Sequence, residues 1–415
     1  MKSPFYHAAL FLMAFTSANG ATIQKATGGP DDPVVAWNLI TVKATKTAGL
    51  NSNLSTRIEA IEAIAVYDAV NSIKHIGTPY HYFVPVKKKA SVQAAVTYAA
   101  HAVLVNYFPG QKTDLDAALE TSLKSVSDGS IGKAEYVGTA AAADIIALRA
   151  NDGSTPLSTY AGPQELTAGA YRATPAKFAP GIDVEWGKLK PFIIPDVKTF
   201  LPPAPPALNS DEYKKALAEV AEIGGSKSTA RSEDQTHIAQ FYKQDAELTV
   251  NEGARLLAIA HGTTTEQNAF IFMLTDIAAA DARITVWGGK YGYLFWRPVT
   301  SLNAEADGTV KDYNKWTPLL ATPPHPSYPS GHSATVTAGY EVLKQFFGDQ
   351  NKLELHTTTQ GETSRTVESL SRIESENGYS RIYGGIHYSF ENSSAQDIGR
   401  KIAAYTLEKG PQLLK

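Results

Sequence analysis

A chain of 415 residues, 43% hydrophobic and 19% charged, is long and apolar enough to bury a sizeable core, which excludes a disordered polymer. A formal net charge of -3 provides no global field to recruit nucleic acid or an anionic membrane, so any anion specificity has to be local. The absence of cysteine excludes disulfides, thiolate nucleophiles, zinc ribbons and iron–sulfur ligation, and is compatible with an oxidising compartment.

Lys2, an apolar run from Ala8 to Phe15, and the small residues Ala18-Asn19-Gly20 before Ala21 read as an export signal over residues 1–20. The mature chain then starts near Ala21 and is destined for the periplasm or the extracellular medium. No later stretch approaches the roughly 20 apolar residues that span a bilayer, so no membrane span is expected. Residues 21–170 form an N-terminal helical half, with apolar residues at helical spacing in Ile58, Ile61 and Ala65 and in Val92, Val96, Ala99 and Val103. The alanine run Ala140 to Ala143 favours helix intrinsically, and Asp152-Gly153 and Pro163 punctuate.

Residues 171–210 differ in kind. Pro175, Pro180, Pro191, Pro195, Pro202, Pro203, Pro205 and Pro206 are poorly tolerated inside helices, so this stretch is expected to be an extended crossover. Asn209-Ser210-Asp211 then offers N-caps for a helix from Tyr213 to Ile223, and Gly224-Gly225 breaks it. Residues 211–415 form a C-terminal helical half, with Leu256 and Leu257 on another helix. The fold class is all-α. No repeat of fixed period appears, and the arrangement reads either as two fused bundles or as one bundle with a long connection.

Three short segments of the C-terminal half concentrate unusual residues: Lys290 to Pro298, His325 to Ser333, and Ser380 to His387. They supply Lys290, Arg297, Ser330, Gly331, His332, Arg381 and His387. Lysine offers three donors on a point charge, and each arginine a planar fork that grips two oxygens of one tetrahedral anion. Glycine lets a backbone N–H approach without a Cβ in the way. If Pro329-Ser330-Gly331-His332 opens a helix running through Val336 to Phe346, the anion also meets a positive helix end. Any one of these segments alone reads as surface cations, an ordinary turn or a core histidine. Their joint occurrence, in order, points to a small, multiply charged oxyanion.

Lys290, then Arg297-Pro298, then Pro329-Ser330-Gly331-His332, then Ser380-Arg381 with Gly385 and His387, resembles the three-part signature shared by vanadium-dependent haloperoxidases and type 2 phosphatidic acid phosphatases. Segments around Asp68, Pro109, Asp152-Gly153, Pro205-Pro206 and Asn268 are similar to bacterial haloperoxidase-like proteins. The resemblance implies helical bundles of the vanadium haloperoxidase and acid phosphatase type, with vanadate as cofactor. It makes His387 the ligand to vanadium and His332 the acid–base residue. Lys290, Arg297 and Arg381 would neutralise the equatorial oxygens, with Ser330 and the Gly331 amide hydrogen-bonded to them. Hydrogen peroxide and halide would be the partners, giving hypohalous acid, with Lys290 polarising the peroxide; the organic acceptor and the oligomeric state are not implied.

In the alternative reading, a metal-free exported acid phosphatase, His387 becomes the nucleophile on phosphorus and His332 protonates the leaving alcohol. A non-enzymatic protein that sequesters oxyanions would not need both imidazoles. His325, five residues before Ser330, resembles the bromide- and iodide-oxidising branch and is expected to tune the pocket; the other reading is a loop histidine facing water. Phe295 and Trp296 read either as lining the halide side or as core aromatics. Asp276 and Asp281 are candidate carboxylates for orienting the arginines, or solvated helix positions. The family's third motif often ends in Asp four residues after the histidine; here Glu391 stands there, one methylene longer, which puts its contact with His387 in doubt.

Overall fold

A computed structural model of the chain describes residues 31–414 apart from 87–88, 125, 127–130, 164, 166 and 358–362; the export signal and Ala21 lie outside the described residues. The first half holds α1 (Pro33–Thr47), α2 (Ser52–Lys74), α3 (Val92–Tyr107), α4 (Lys112–Leu123) and α5 (Ile131–Arg149). The second holds α6 (Asp211–Ile223), α7 (Glu233–Phe241), α8 (Ala246–His261), α9 (Thr265–Tyr293), α10 (Pro298–Ser301), α11 (Gly331–Phe347), α12 (Leu370–Tyr383) and α13 (Ser389–Lys409). Strand structure is confined, among the described residues, to two antiparallel pairs: β1 (Thr159–Tyr160) with β2 (Gly181–Ile182), and β3 (Leu353–Thr357) with β4 (Thr363–Val367). The all-α expectation is met.

Side-chain caps begin the helices where the sequence places them. Ser210 caps α6 and Ser330 caps α11, each accepting from the backbone N–H three residues on. Thr264 and Gln267 form a reciprocal capping box that starts α9. Asp32 caps α1 through Val34 and Val35, and its other oxygen accepts from Thr265 at 2.6 Å, so the starts of α1 and α9 are tied together.

The two helices buried along most of their length, α2 and α9, pack against each other, and α9 also packs on α11, which packs on α13. Trp37, Ile61, Ile64, Met273, Ile277, Val336 and Ile402, drawn from both halves, belong to one hydrophobic cluster. Each fully buried large side chain contributes roughly 1.5–3 kcal/mol, so the halves stabilise each other across the crossover.

Residues 171–210 carry two short 3-10 turns, 184–188 and 197–200, and no α-helix. The crossover lies against α9, and its anchor is Asp281. This fully buried carboxylate accepts the backbone N–H groups of Phe192, Ile193 and Ile194 at 2.7, 2.8 and 3.0 Å. No helix among the described residues is long and apolar enough to cross a membrane.

Candidate oxyanion site

The three signature segments converge where the C-terminal end of α9, the N-terminus of α11 and the link from α12 to α13 meet. Lys290, near the end of α9, is fully buried, and its Nζ donates to the carbonyls of Pro326 and Ser327 at 2.8 Å each. One of its three N–H groups is left for a ligand. Arg297 is the residue before α10 and is also fully buried. Its Nε donates to the His325 carbonyl at 3.0 Å and its Nη1 to the Ile386 carbonyl at 2.7 Å. Arg381, on the last turn of α12, is fixed through Nη2 to the Tyr242 carbonyl at 2.6 Å and through Nε to Ser380 Oγ at 3.0 Å.

Ser330 caps α11 and receives the Ser333 hydroxyl at 2.9 Å, so its own proton remains free to donate. Gly331 is the first residue of that helix, so its amide belongs to a positive helix end. A Cβ on Gly331 would lie 3.1 Å from Arg283 Nη1 and 3.4 Å from the Trp287 ring, which is the close approach that calls for glycine. Gly385, between Arg381 and His387, has φ +75, and a Cβ there would meet the Gly224 carbonyl oxygen at 2.3 Å.

His387 is buried and held at both ring nitrogens. Nδ1 lies 2.6 Å from Glu391 Oε2, so it carries the proton and donates to the carboxylate. The same oxygen accepts from Ser327 Oγ at 2.8 Å and from the Tyr388 amide at 3.1 Å. Nε2 is therefore the lone-pair nitrogen, and Arg297 Nη1 lies 3.1 Å from it. Glu391 reaches His387 in spite of its extra methylene, and it is a carboxylate of the kind that orients ligating imidazoles. Burial pushes Glu391 up to about 7, while Arg297 and Lys290 oppose the rise.

His332 donates Nε2–H to the Gln244 carbonyl at 3.0 Å, which leaves Nδ1 as its basic nitrogen. His325 accepts Arg297 Nη2 on Nδ1 at 2.9 Å, and its ring lies 4.9 Å from that of Trp287. It is partly buried and lines the site cavity, so it is not a loop histidine facing water.

The cavity of about 260 Å³ is bordered by Asn53, Lys243, Asp245, Arg283, Trp287, His325, Gly331, His332, Arg381 and His387, among others. Asp245 is the one carboxylate among its described lining residues, against the cations Lys243, Arg283 and Arg381. Burial holds Arg297 down to about 10; burial and then Arg297 hold Arg381 down to about 9. Burial and then Arg297 push Lys290 well below its ordinary value. All three imidazoles are held well below 6.5, first by burial and then by neighbouring cations: Lys290 for His325, Arg381 for His332 and Arg297 for His387. A bound anion relieves this repulsion, and a bound cation would worsen it. The donor set is nitrogen and hydroxyl, with histidine lone pairs at His387 Nε2 and His332 Nδ1 and no group of three or more His, Asp and Glu converging on a cation among the described residues. It fits an oxyanion such as vanadate: Gly331, Arg381 and His387 border the cavity, while Lys290, Arg297 and Ser330 are not among its described lining residues and adjoin it through Pro326, His387 and Gly331; these six are the residues that would hold the group.

Of the two readings of Phe295 and Trp296, the structure selects core aromatics: they do not line the cavity but are packed with Tyr213, Tyr388 and Phe390, and Trp296 Nε1 donates to Tyr213 Oη at 3.1 Å. Trp287 occupies the position by the cavity instead. Asp281 orients no site arginine but holds the crossover, and Asp276, pushed up to about 7 by burial, is hydrogen-bonded to Asn251. Both are buried rather than solvated. Main-chain carbonyls, not these carboxylates, orient Arg297 and Arg381. Sequence reasoning missed Arg283, Trp287, Asn53 and Asp245. The spacing of Arg283, Trp287 and Lys290 at i, i+4 and i+7 was the available signal, since it sets all three on one helical face.

Residues 270–415, which contain the whole site, match the model for the VCPO second helical-bundle domain. Vanadium chloroperoxidase of Curvularia inaequalis is 24% identical over 267 residues, covering 47% of this chain and 43% of that protein, so the match spans less than half the length of the curated relative. The fold is that of a bacterial vanadium-dependent iodoperoxidase, with TM-score 0.81 and 22% identity over 93% of this chain and 97% of that one. A bacterial vanadium-dependent chloroperoxidase in its holo form superposes with TM-score 0.70 and 16% identity over 94% of each chain.

Proposed function

We propose that this chain, a vanadium haloperoxidase relative by its fold and by its VCPO second helical-bundle domain, is a vanadate-dependent haloperoxidase that oxidises halide with hydrogen peroxide to hypohalous acid. Bromide or iodide is the favoured halide, and export through residues 1–20 to the periplasm or the extracellular medium is part of the same reading. The observation that carries it is the His387 arrangement: a neutral imidazole, its Nδ1–H held by Glu391, presenting Nε2 to buried cations. That nitrogen, whose lone pair accepts from Arg297 Nη1 at 3.1 Å, would exchange this hydrogen bond for a bond to one electrophilic centre whose surrounding oxygens need donors.

Bound vanadate supplies Lewis acidity that activates hydrogen peroxide toward halide without a change in metal oxidation state. Lys290, with one N–H unused by protein, donates to a substrate oxygen and draws electron density from it. His332, fixed through Nε2 to Gln244, takes and returns protons at Nδ1. Its depressed proton affinity rises when negative charge enters between Arg381 and itself. Trp287 and His325 form the wall against which a polarisable halide packs, and the water-excluding aromatic cluster around Tyr213 and Tyr388 lies behind the arginine segment.

The test is steady-state halogenation of a phenolic dye with hydrogen peroxide and chloride, bromide or iodide, using protein reconstituted with orthovanadate. The expected result is turnover with bromide and iodide that is lost in His387→Ala. Absence of halogenation with every halide, in protein that binds vanadate, would overturn the proposal.

A further inference from the structure

Arg283 is a buried cation at the cavity that the signature does not include. Its position on α9 places it on the face that also carries Trp287 and Lys290. Nε donates to Asn53 Oδ1 at 2.8 Å, and Asn53 Nδ2 donates in turn to Asp183 Oδ2 at 2.8 Å. The guanidinium carbon sits 4.7 Å over the Trp287 ring. These contacts fix the plane of the fork. Nη1 nevertheless has no hydrogen-bond partner, although the residue is only 6% exposed. A buried charged donor left unpaired is costly, and such groups are rare unless something not of the protein completes them.

The direction of that free N–H is given by its neighbours. Nη1 lies 3.1 Å from the position a Cβ would take on Gly331, the first residue of α11. Arg283 borders the cavity together with Gly331, His332, Arg381 and His387. Glu247, Asp245 and Asp183 act on its charge from a distance, yet none of them takes Nη1. A planar fork anchored at one nitrogen and free at another, beside a helix-terminal amide, is the geometry that grips an oxygen of a tetrahedral anion.

We infer that Arg283 is a fourth cationic contact of the bound oxyanion, donating Nη1–H to an oxygen on the side of Gly331 and His332. This rests on the site holding a tetrahedral oxyanion and is independent of whether peroxide or a phosphate ester is then turned over. Arg283 adds positive charge beyond that of Lys290, Arg297 and Arg381, and so favours the more highly charged forms of the oxyanion.

The experiment is calorimetric titration of the vanadate-free protein with orthovanadate and with inorganic phosphate, on wild type, Arg283→Lys and Arg283→Ala, with the melting temperature of each. Losing one charge-assisted hydrogen bond weakens binding by about 10- to 100-fold in Arg283→Ala. Arg283→Lys, which keeps the charge that balances Glu247 and Asp245 but lacks the fork, weakens it less and melts close to wild type. A folded Arg283→Ala protein with wild-type affinity for both anions overturns the inference, because a purely structural role moves the melting temperature and not the affinity. If Arg283→Ala does not fold, a crystal structure of the wild type with orthovanadate decides. Nη1 on an oxyanion oxygen upholds the inference, and Nη1 away from the anion overturns it. A wild type that binds neither anion removes the oxyanion reading of the site itself, an outcome distinct from loss of the Arg283 contact alone.

Discussion

Replacing Arg297 by lysine keeps the charge and removes the fork, and the structure says what that costs. The guanidinium serves two main-chain carbonyls, His325 and Ile386, and two imidazoles, His387 and His325, so it joins all three signature segments. A single ammonium on a different stem cannot reach both carbonyls, and at least one buried acceptor is left unpaired, at about 1–3 kcal/mol. With an unfolding entropy near 2.1 cal/mol/K per residue, a chain of this length loses on the order of 1–3 °C in melting temperature. The anion loses more, because the His387 ring is no longer held at Nε2 and the one N–H of Arg297 not taken by protein, on Nη2, is removed. A further 1.5–3 kcal/mol, or about 10- to 100-fold in orthovanadate affinity, is the expected loss. Calorimetric titration of the vanadate-free Arg297→Lys protein, paired with its melting curve, measures both. An affinity within about twofold of wild type would refute the placement of Arg297 against the oxyanion.

Three other outcomes follow from particular contacts. His325→Ala removes the ring against Trp287 and lowers kcat/KM for bromide by about 10-fold, while orthovanadate affinity moves less than about threefold; equal losses in both would assign His325 to oxyanion binding instead. Glu62 is pushed up to about 8 by burial and then by Asp276, so its contribution to stability is fully present below its unfolded value near 4.5 and is lost as pH rises through 8. Glu62→Gln therefore gains on wild type by up to roughly 1.4 kcal/mol per pH unit between about pH 5 and 8, and a pH-independent difference in urea unfolding would contradict this. Asp281→Ala leaves three backbone N–H groups of the crossover without their acceptor and costs on the order of 3–6 kcal/mol in the same assay; a loss under about 1 kcal/mol would show that the crossover is held elsewhere.

The helical class, the caps at Ser210 and Ser330 and the clustering of the candidate site residues were legible because each depends on local chemistry: period, side-chain oxygen or charge type. Lys290, Arg297, Ser330, Gly331, His332, Arg381 and His387 are drawn together in space as their ordered spacing suggested. Adjacency in sequence left the place of Phe295 and Trp296 open. The chain turns at Arg297 before α10, so the arginine enters the site while its neighbours pack into the Tyr213 cluster. Arg283 shares a helical face with Trp287 and Lys290, a weak sequence signal that one arginine on a helix does not make specific; the packing of Asn53 and Gly331 against it shows its burial. The reach of Glu391 to His387 goes with the Tyr388 amide, which Glu391 Oε2 accepts at 3.1 Å at the start of α13, folding its longer side chain back toward the preceding residues. Asp281 serves a tertiary contact nearly 90 positions away, for which the sequence carries no local sign.

The most direct test of the account is a titration of vanadate-free protein with orthovanadate in which bromide-dependent halogenation and p-nitrophenyl phosphate hydrolysis are followed on the same preparation. Halogenation is expected to rise to a plateau near one equivalent of vanadate and to be absent throughout in His387→Ala. Phosphate ester hydrolysis that falls as vanadate is added, with no halogenation at any point, would contradict this and leave an oxyanion site that works as a phosphatase.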